Sequence, residues 1–248
     1  MLVHTAAWTG LRSAEPAGLQ IADVELPTNS NKPGALRVDR TVARVGTELR
    51  YLTPKTKGSR RRVPMTPATT VLLRDYLREH PCADEPTGPL FPAVRLVPPR
   101  PTGKRAETPD ADAKARAARQ TDALAALSVS EHEKRLVLDW TAPLRHATYS
   151  KAVFRPAVLR ARRLSPHAAP SPDFTPHGLR HTYASLMIAA GRPTLEISRF
   201  MGHSKVTTTL SVYTHLFDTD DHADAMAALA ELAAPAAPNV VPLRANCQ

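Results

Sequence analysis

The stretch FTPHGLRHTYASL, residues 174–186, places His177, Arg180 and His181 where a helix is expected to begin. Thr175 is a preferred N-cap type and Pro176 suits the first helical position. A helix dipole favours acidic side chains in its first turn. Here the turn carries a guanidinium and two imidazoles instead, an arrangement that suits a bound anion. Reactive side chains recur in TGLRSAE (9–15), TPKTKGSRR (53–61), FMGHSK (200–205) and TTLSVYTHL (208–216). Guanidiniums can clamp the non-bridging oxygens of a phosphodiester in a two-pronged way while staying charged. A tyrosine hydroxyl, with an ordinary pKa near 10, attacks phosphorus only when a base or a positive field assists it. A lysine can protonate the oxygen that leaves. Chemistry of this kind needs no metal and no cofactor. The covalent ester conserves the energy of the broken bond, so resealing needs no ATP. His177 and His181 have the i, i+4 spacing of a metal pair, but no acidic or cysteine partner lies near them in sequence.

The totals point the same way. The 248 residues suit one large domain, and 42% hydrophobic content can bury a core. Lys and Arg number 33 against 23 Asp and Glu, a net charge of +10, which calls for a polyanionic partner such as nucleic acid or an acidic membrane surface. The charge is concentrated. Residues 50–62 and 141–172 each hold six basic side chains and no acid, whereas the tail after Leu216 is mostly acidic. Lys57, Arg60, Arg61, Arg145, Lys151 and Arg155 are therefore the candidate nucleic-acid-binding residues. Cys82 and Cys247 are too few for a disulfide framework. No apolar run is long enough to span a membrane, and the first residues lack a signal-peptide pattern. A cytoplasmic, nucleoid-associated protein without a membrane partner is expected.

Local signals place these residues on elements. LVHTAAWTG reads as a helix closed by Gly10, followed by a second helix with Ser13 as N-cap and Pro16 in its first turn. ALRVDRTVARV, ELRYLTPKT and SRRRVPM predict a three-stranded antiparallel meander. Thr66-Pro67 opens another helix. Residues 93–138 change to Pro, Ala and mixed charge, which predicts an inserted flexible loop with an Ala-rich helix near 111–127. Residues 144–164 read as a helical region interrupted near Pro156. Short helices are expected at 176–190, 193–201 and 204–213, then an Ala-rich one at 219–233. The fold class is mainly α with a small three-stranded antiparallel sheet.

Singly, each reactive residue has an ordinary structural use. Taken in order, they resemble the catalytic domain of the tyrosine recombinases, the phage-integrase family, which cuts and rejoins DNA through a 3′-phosphotyrosine. The resemblance runs from the first residues to about Phe217, outside the 93–138 insertion. It implies that Arg12 is the first active-site arginine, braced by Glu15, and that Lys55 is the hairpin lysine, with Lys57 as the alternative. It further implies that His177 and Arg180 are the His-x-x-Arg pair, with His177 as proton acceptor. His203 would be a further hydrogen-bond donor and Tyr213 the nucleophile. His181 is expected to face away and to serve structure. No metal and no cofactor are implied. The partner is double-stranded DNA, bound by a homo-tetramer in full-length members.

The resemblance carries organisational expectations too. Residues 1–217 would form the catalytic domain and 218–248 a C-terminal helix and tail. The smaller helical DNA-clamping domain that usually comes first would be absent, leaving a mostly monomeric chain that binds DNA non-specifically and nicks poorly. Pro16 stands where the family usually has a large aliphatic residue. Two other readings stay open at this point. A catalytically inert DNA-binding fragment would keep the fold. A helix-turn-helix regulator would use the helix–Gly–helix pattern of residues 194–213, but leaves Arg12 and HGLRH unexplained.

Overall fold

Helix α1 (Leu2–Thr9) stops where Gly10 turns left-handed, with φ of 63°. Tyr183 fills the space that a Cβ at Gly10 would need, so glycine is required there twice over. The structure is a computed structural model that describes residues 1–29, 32–54, 59–97 and 113–214 except 169. Lys55, Lys57, the 98–112 stretch and the expected C-terminal helix at 219–233 lie outside the described residues.

After α1 the sequence predicts a second α-helix. The chain instead makes single 3-10 turns at Pro16–Gly18 and Ile21–Asp23. Glu15, which precedes the first of these turns, makes no side-chain cap bond to it. Strands β1 (Val24–Glu25), β2 (Ala35–Val38) and β5 (Arg61–Pro64) form an antiparallel sheet in the order β1-β2-β5. Strands β3 (Thr41–Val45) and β4 (Glu48–Leu52) make a separate hairpin. The expected meander is thus corrected: its first strand breaks at Asp39-Arg40, and its last strand pairs with β2 rather than β4. Burial gives the reason. Leu36, Val38 and Val63 on β2 and β5 are fully buried, whereas β3 and β4 bury no residue completely. At the break, Arg40 bonds the buried Asp23 carboxylate at 2.6 Å, which pins the chain as it leaves the sheet.

Helix α2 (Pro67–Arg78) opens as its sequence predicts, with the Thr66 side chain accepting the Thr69 N–H. The stretch expected as a flexible loop carries regular structure at both ends. Strand β6 (Pro92–Leu96) pairs with β7 (Leu136–Pro143), and helices α3 (Ala113–Ala126) and α4 (Val129–Glu133) lie between them. Their pairing joins segments on either side of α3 and α4, a long-range contact that composition does not show. Next, α5 (His146–Tyr149), a π-helical turn (Ser150–Phe154) and α6 (Arg155–Leu164) run without a break. Helices α7 (Pro176–Ala189), α8 (Thr194–Met201) and α9 (Val206–Tyr213) complete the described fold.

The main core joins α1, the sheet, α2, β6 and α6 through Leu11, Leu36, Val63, Leu73, Leu90 and Val158. Burying each such leucine stabilises by about 1.5–3 kcal/mol. A second cluster unites α7, α8 and α9 through Tyr183, Ala184, Ile197, Met201 and Tyr213. The residues of interest sit where the two clusters meet.

One contact explains how the long helix tolerates Pro156. Proline has no N–H for the carbonyl of Ala152 four residues earlier, which favours the π-helical turn. That carbonyl accepts the His132 Nε2–H of α4 at 2.8 Å, while Arg160 donates to His132 Nδ1 at 3.1 Å. Burial holds His132 below its ordinary pKa, and the Arg160 and Arg135 charges add to this against the opposing Ala152 bond, so the ring is neutral. A group so depressed stabilises fully above its unfolded pKa, about 6.5, and loses that contribution as pH falls. Replacing His132 with Ala should therefore cost about 1–3 kcal/mol by urea unfolding at pH 8. The gap between wild type and variant should narrow below pH 6.5, and a pH-independent gap would contradict the assignment.

Candidate active site

A single buried carboxylate organises the candidate site. Glu15, 3% exposed at its side chain, accepts the Arg12 backbone N–H at 2.7 Å and Arg12 Nη1 at 2.9 Å. The same carboxylate takes both prongs of Arg61, Nη1 and Nη2, at 2.8 Å each. Burial alone would raise its pKa, but the bonds and charges of Arg61 and Arg12 outweigh that and hold it below the usual carboxylate range.

Arg61, a DNA-contact candidate in the sequence, points inward in the structure. Its side chain is 6% exposed, and its Nε donates to the Phe200 carbonyl at 2.6 Å. The long basic run around it gave no sign that one member turns inward. Arg60, Arg145 and Lys151 are exposed, and Arg155 is half-buried on the opening turn of α6. Arg145 precedes α5 and lines a cleft with Ala14, Arg44 and His146, near the Arg12 loop. Arg44 is a basic residue at that cleft which the sequence reading did not single out.

The two candidate clamp arginines are each fastened to the carbonyl of a left-handed glycine. Arg12 donates through Nη2 to Gly202, the αL residue that ends α8. Arg180, on α7, donates through Nη1 to Gly10 at 2.6 Å. A Cβ on Gly202 would stand 2.9 Å from Arg61 Nη1, so the stop signal of α8 also makes room for the guanidinium. Arg180 is 3% exposed. Burial first, then the Arg12 charge, pull its pKa down to about 10, which leaves it cationic at neutral pH.

The imidazoles surround these cations. His177, in the acid-free first turn of α7, is held below its ordinary pKa by burial and by the charges of His181, Arg180 and Arg12. His203 follows Gly202 and bonds the buried Thr209 hydroxyl through Nδ1 at 2.7 Å. Burial and then Arg180, Arg12, Arg61 and His177 push His203 down to about 4, so it is neutral at physiological pH. The neutral ring has one donor and one acceptor nitrogen, and the tautomer in which Nδ1 accepts from Thr209 presents Nε2–H as a donor.

Tyr213 ends α9, 4% exposed. Burial raises its pKa, and the Arg180 charge pulls it part of the way back. Its hydroxyl meets His181 Nδ1 at 2.8 Å, and the rings of His181 and His177 stand edge to face at 5.0 Å. His181, expected to face away, is thus drawn into the site. Its i+4 offset from His177 carried that signal, since such residues share a helix face. Arg12, Glu15, His177, Arg180, His203 and Tyr213 are brought together. Among the described residues, no group of three His, Cys, Asp or Glu side chains could hold a metal ion. The α8–Gly202–α9 turn, read alone as a helix-turn-helix, gives its carbonyls to Arg12 and Arg61 and forms a wall of this site.

Changing Glu15 to Gln leaves one acceptor oxygen for the buried Arg61 guanidinium and the partly exposed one of Arg12, and turns an amide donor toward them. The expected loss is about 3–5 kcal/mol of unfolding free energy, the usual result of breaking a buried ion pair from one side. The wild-type contribution should be complete above about pH 4.5 and lost as pH falls through the depressed native pKa. Thermal or urea unfolding from pH 7 to 3 checks both, and equal stability of the two proteins at pH 7 would contradict the brace.

Comparison with known proteins places the chain in a family and a fold. Residues 1–220 match the Phage integrase family. Transposase A from transposon Tn554 of Staphylococcus aureus is 44% identical over 48 residues, 19% of this chain and 13% of that protein. Tyrosine recombinase XerC of Herpetosiphon aurantiacus is 41% identical over 44 residues, 18% of this chain and 14% of that one. Among solved structures, the Tn1549 transposon integrase in complex with transposon right end DNA superposes with a TM-score of 0.56 at 20% identity, covering 94% of this chain and 58% of its own. The same integrase with circular intermediate DNA gives 0.55 at 20% identity, covering 94% and 59%. This chain therefore spans little more than half of the solved integrase it superposes on. No helix among the described residues is long and apolar enough to cross a membrane. With the family match extending over nearly all of the described fold, the chain belongs to the phage integrase family.

Proposed function

We propose that this chain is the catalytic part of a site-specific DNA recombinase that cuts and rejoins DNA through a 3′-phosphotyrosine. The observation that carries the reading is the convergence of Arg12, Arg180, His177 and His203 with Tyr213, from distant stretches of chain, at the junction of two hydrophobic clusters. The DNA-bound integrase structures that share the fold support double-stranded DNA as partner.

In this reading Arg12 and Arg180 clamp the scissile phosphate through the donors that Glu15, Gly202 and Gly10 leave free. His203, kept neutral, donates a hydrogen bond to a phosphate oxygen, and His177 adds a second donor at the helix N-terminus. The Tyr213 oxygen attacks phosphorus and the 5′-oxygen departs. Lys55 on the β4–β5 connection, or Lys57 beside it, supplies the proton that the leaving oxygen takes. Arg60, Arg145, Lys151 and Arg155 bind flanking phosphates, an interaction without sequence information that weakens as salt rises. Integration or transposition of a mobile element, by a homo-tetramer assembled on DNA at the nucleoid, is the biological setting this chemistry fits.

Two outcomes test the reading. Tyr213→Phe should bind DNA like wild type and form no adduct that survives denaturant; undiminished adduct from this variant would remove Tyr213 as nucleophile. Arg12→Lys and Arg180→Lys should each lose at least about 10²-fold in single-turnover cleavage, the scale of losing one preorganised donor. An ammonium cannot reproduce the guanidinium fork. Near-normal cleavage by both lysine variants would contradict the clamp.

A further inference from the structure

We propose that His181, rather than His177, takes the proton from the Tyr213 hydroxyl during attack. The inference rests on the recombinase reading above and names a catalytic residue that the sequence assigned to structure.

The carrying observation is geometric. Tyr213 Oη and His181 Nδ1 are 2.8 Å apart, hydrogen-bonding distance for a phenol donating to an imidazole nitrogen. With the phenol as donor, the ring proton sits on Nε2 and the Nδ1 lone pair is aimed at the hydroxyl. No hydrogen bond joins His177 to Tyr213 among the described residues. His177 instead abuts the His181 ring, among the charges of Arg180 and Arg12. Those charges oppose a further cation on His177 and leave it better suited to donating to phosphate than to receiving a proton.

Four features make His181 a workable acceptor. It touches the nucleophilic oxygen itself. It sits one turn along α7 from His177, so both rings rest on a rigid helix rather than a loop. Tyr213 is 4% exposed and packed among Tyr183, Ile197 and Met201, which fixes the phenol against the imidazole. His181 is exposed, so the proton it gains can pass to bulk water.

The step balances. As the Tyr213 Oη–P bond forms, the P–O5′ bond breaks and the Tyr213 proton moves to His181 Nδ1, giving an imidazolium. The departing 5′-oxygen takes a separate proton from the lysine acid. Rejoining runs the same transfers backwards: the 5′-hydroxyl returns its proton as it attacks, and His181 reprotonates the phenolate as it leaves.

The test isolates the nucleophile's side of the reaction. A pool of duplexes, randomised in sequence around one 5′-bridging phosphorothiolate, offers a leaving group that needs no proton. Covalent adduct is followed in single turnover for wild type, His181→Ala and His181→Asn. The Tyr213 hydroxyl is followed separately, without DNA, by NMR of protein labelled at the tyrosine ζ-carbon. Both variants should keep wild-type DNA affinity and lose roughly 10²–10⁴-fold in adduct rate, the usual range for acid–base assistance. The Tyr213 resonance should move in His181→Ala and stay closer to wild type in His181→Asn, whose side-chain oxygen can accept the bond but not the proton. Recovery of the rate by His181→Asn would reduce His181 to an anchor and overturn the proposal. A wild-type rate in His181→Ala, or an unmoved Tyr213 resonance there, would overturn it equally. If wild type itself forms no adduct on the pool, the recombinase reading fails, and the proposal with it.

Discussion

Everything at the candidate site depends on one buried anion. Glu15 sits between Arg12 and Arg61, with Arg180 close enough to feel both its charge and theirs. Two like charges about 4 Å apart repel by roughly 4 kcal/mol at an effective dielectric of 20. Three guanidiniums gathered beside imidazoles would drive the site open if none were neutralised. A single carboxylate offsets part of that repulsion and leaves the cluster net positive. The unbalanced charge then faces whatever polyanion enters, and the held donors need little reorganisation when it does.

The rest of the fold serves to bring that carboxylate and those cations to one place. Arg12 follows the end of α1, Arg61 opens β5, Arg180 lies on α7, and the Phe200 and Gly202 carbonyls end α8. Each joint is a helix stop or a strand start, where backbone carbonyls are unpaired and can accept from arginine. The left-handed glycines at 10 and 202 both end a helix and hand a carbonyl to a clamp arginine. Arg61 links the sheet to the α7–α9 cluster, which carries Tyr213, so the cations bound to Glu15 also hold the two halves of the core together. Stability and proposed chemistry are coupled through the same few bonds.

Much of this was legible in sequence, for stated physical reasons. Gly10, Thr66-Pro67 and Gly202 are local signals whose effect lies within a turn, and the helices they bound were read with little error. Arg12, Arg180, His203 and Tyr213 stand out in the chain by residue type and spacing, and the fold gathers them at one place. What escaped was decided by long-range contact. The direction in which Arg61 points depends on Glu15 and Phe200, far away in the chain. The pairing of β5 with β2 depends on which strands bury a full face, and β3 and β4 looked equally strand-like. The β6–β7 ribbon pairs segments on either side of α3 and α4, again a contact far apart in the chain. The i+4 offset puts His181 on the His177 face, but its bond to Tyr213, a side chain 32 residues on, is a long-range contact that the sequence does not show.

The central claim is that the cationic clamp is built before DNA arrives, with its arginines locked by Glu15 and the two glycine carbonyls. Rotation about the Nε–Cζ bonds of Arg12, Arg61 and Arg180, measured by nitrogen-15 exchange NMR on the DNA-free protein, tests this directly. The account predicts slow rotation, with separate Nη signals for all three, and faster averaging at Arg12 and Arg61 once Glu15 is changed to Gln. Freely averaged Nη signals for Arg12 and Arg180 in the wild-type protein, like those of an exposed arginine, would contradict it.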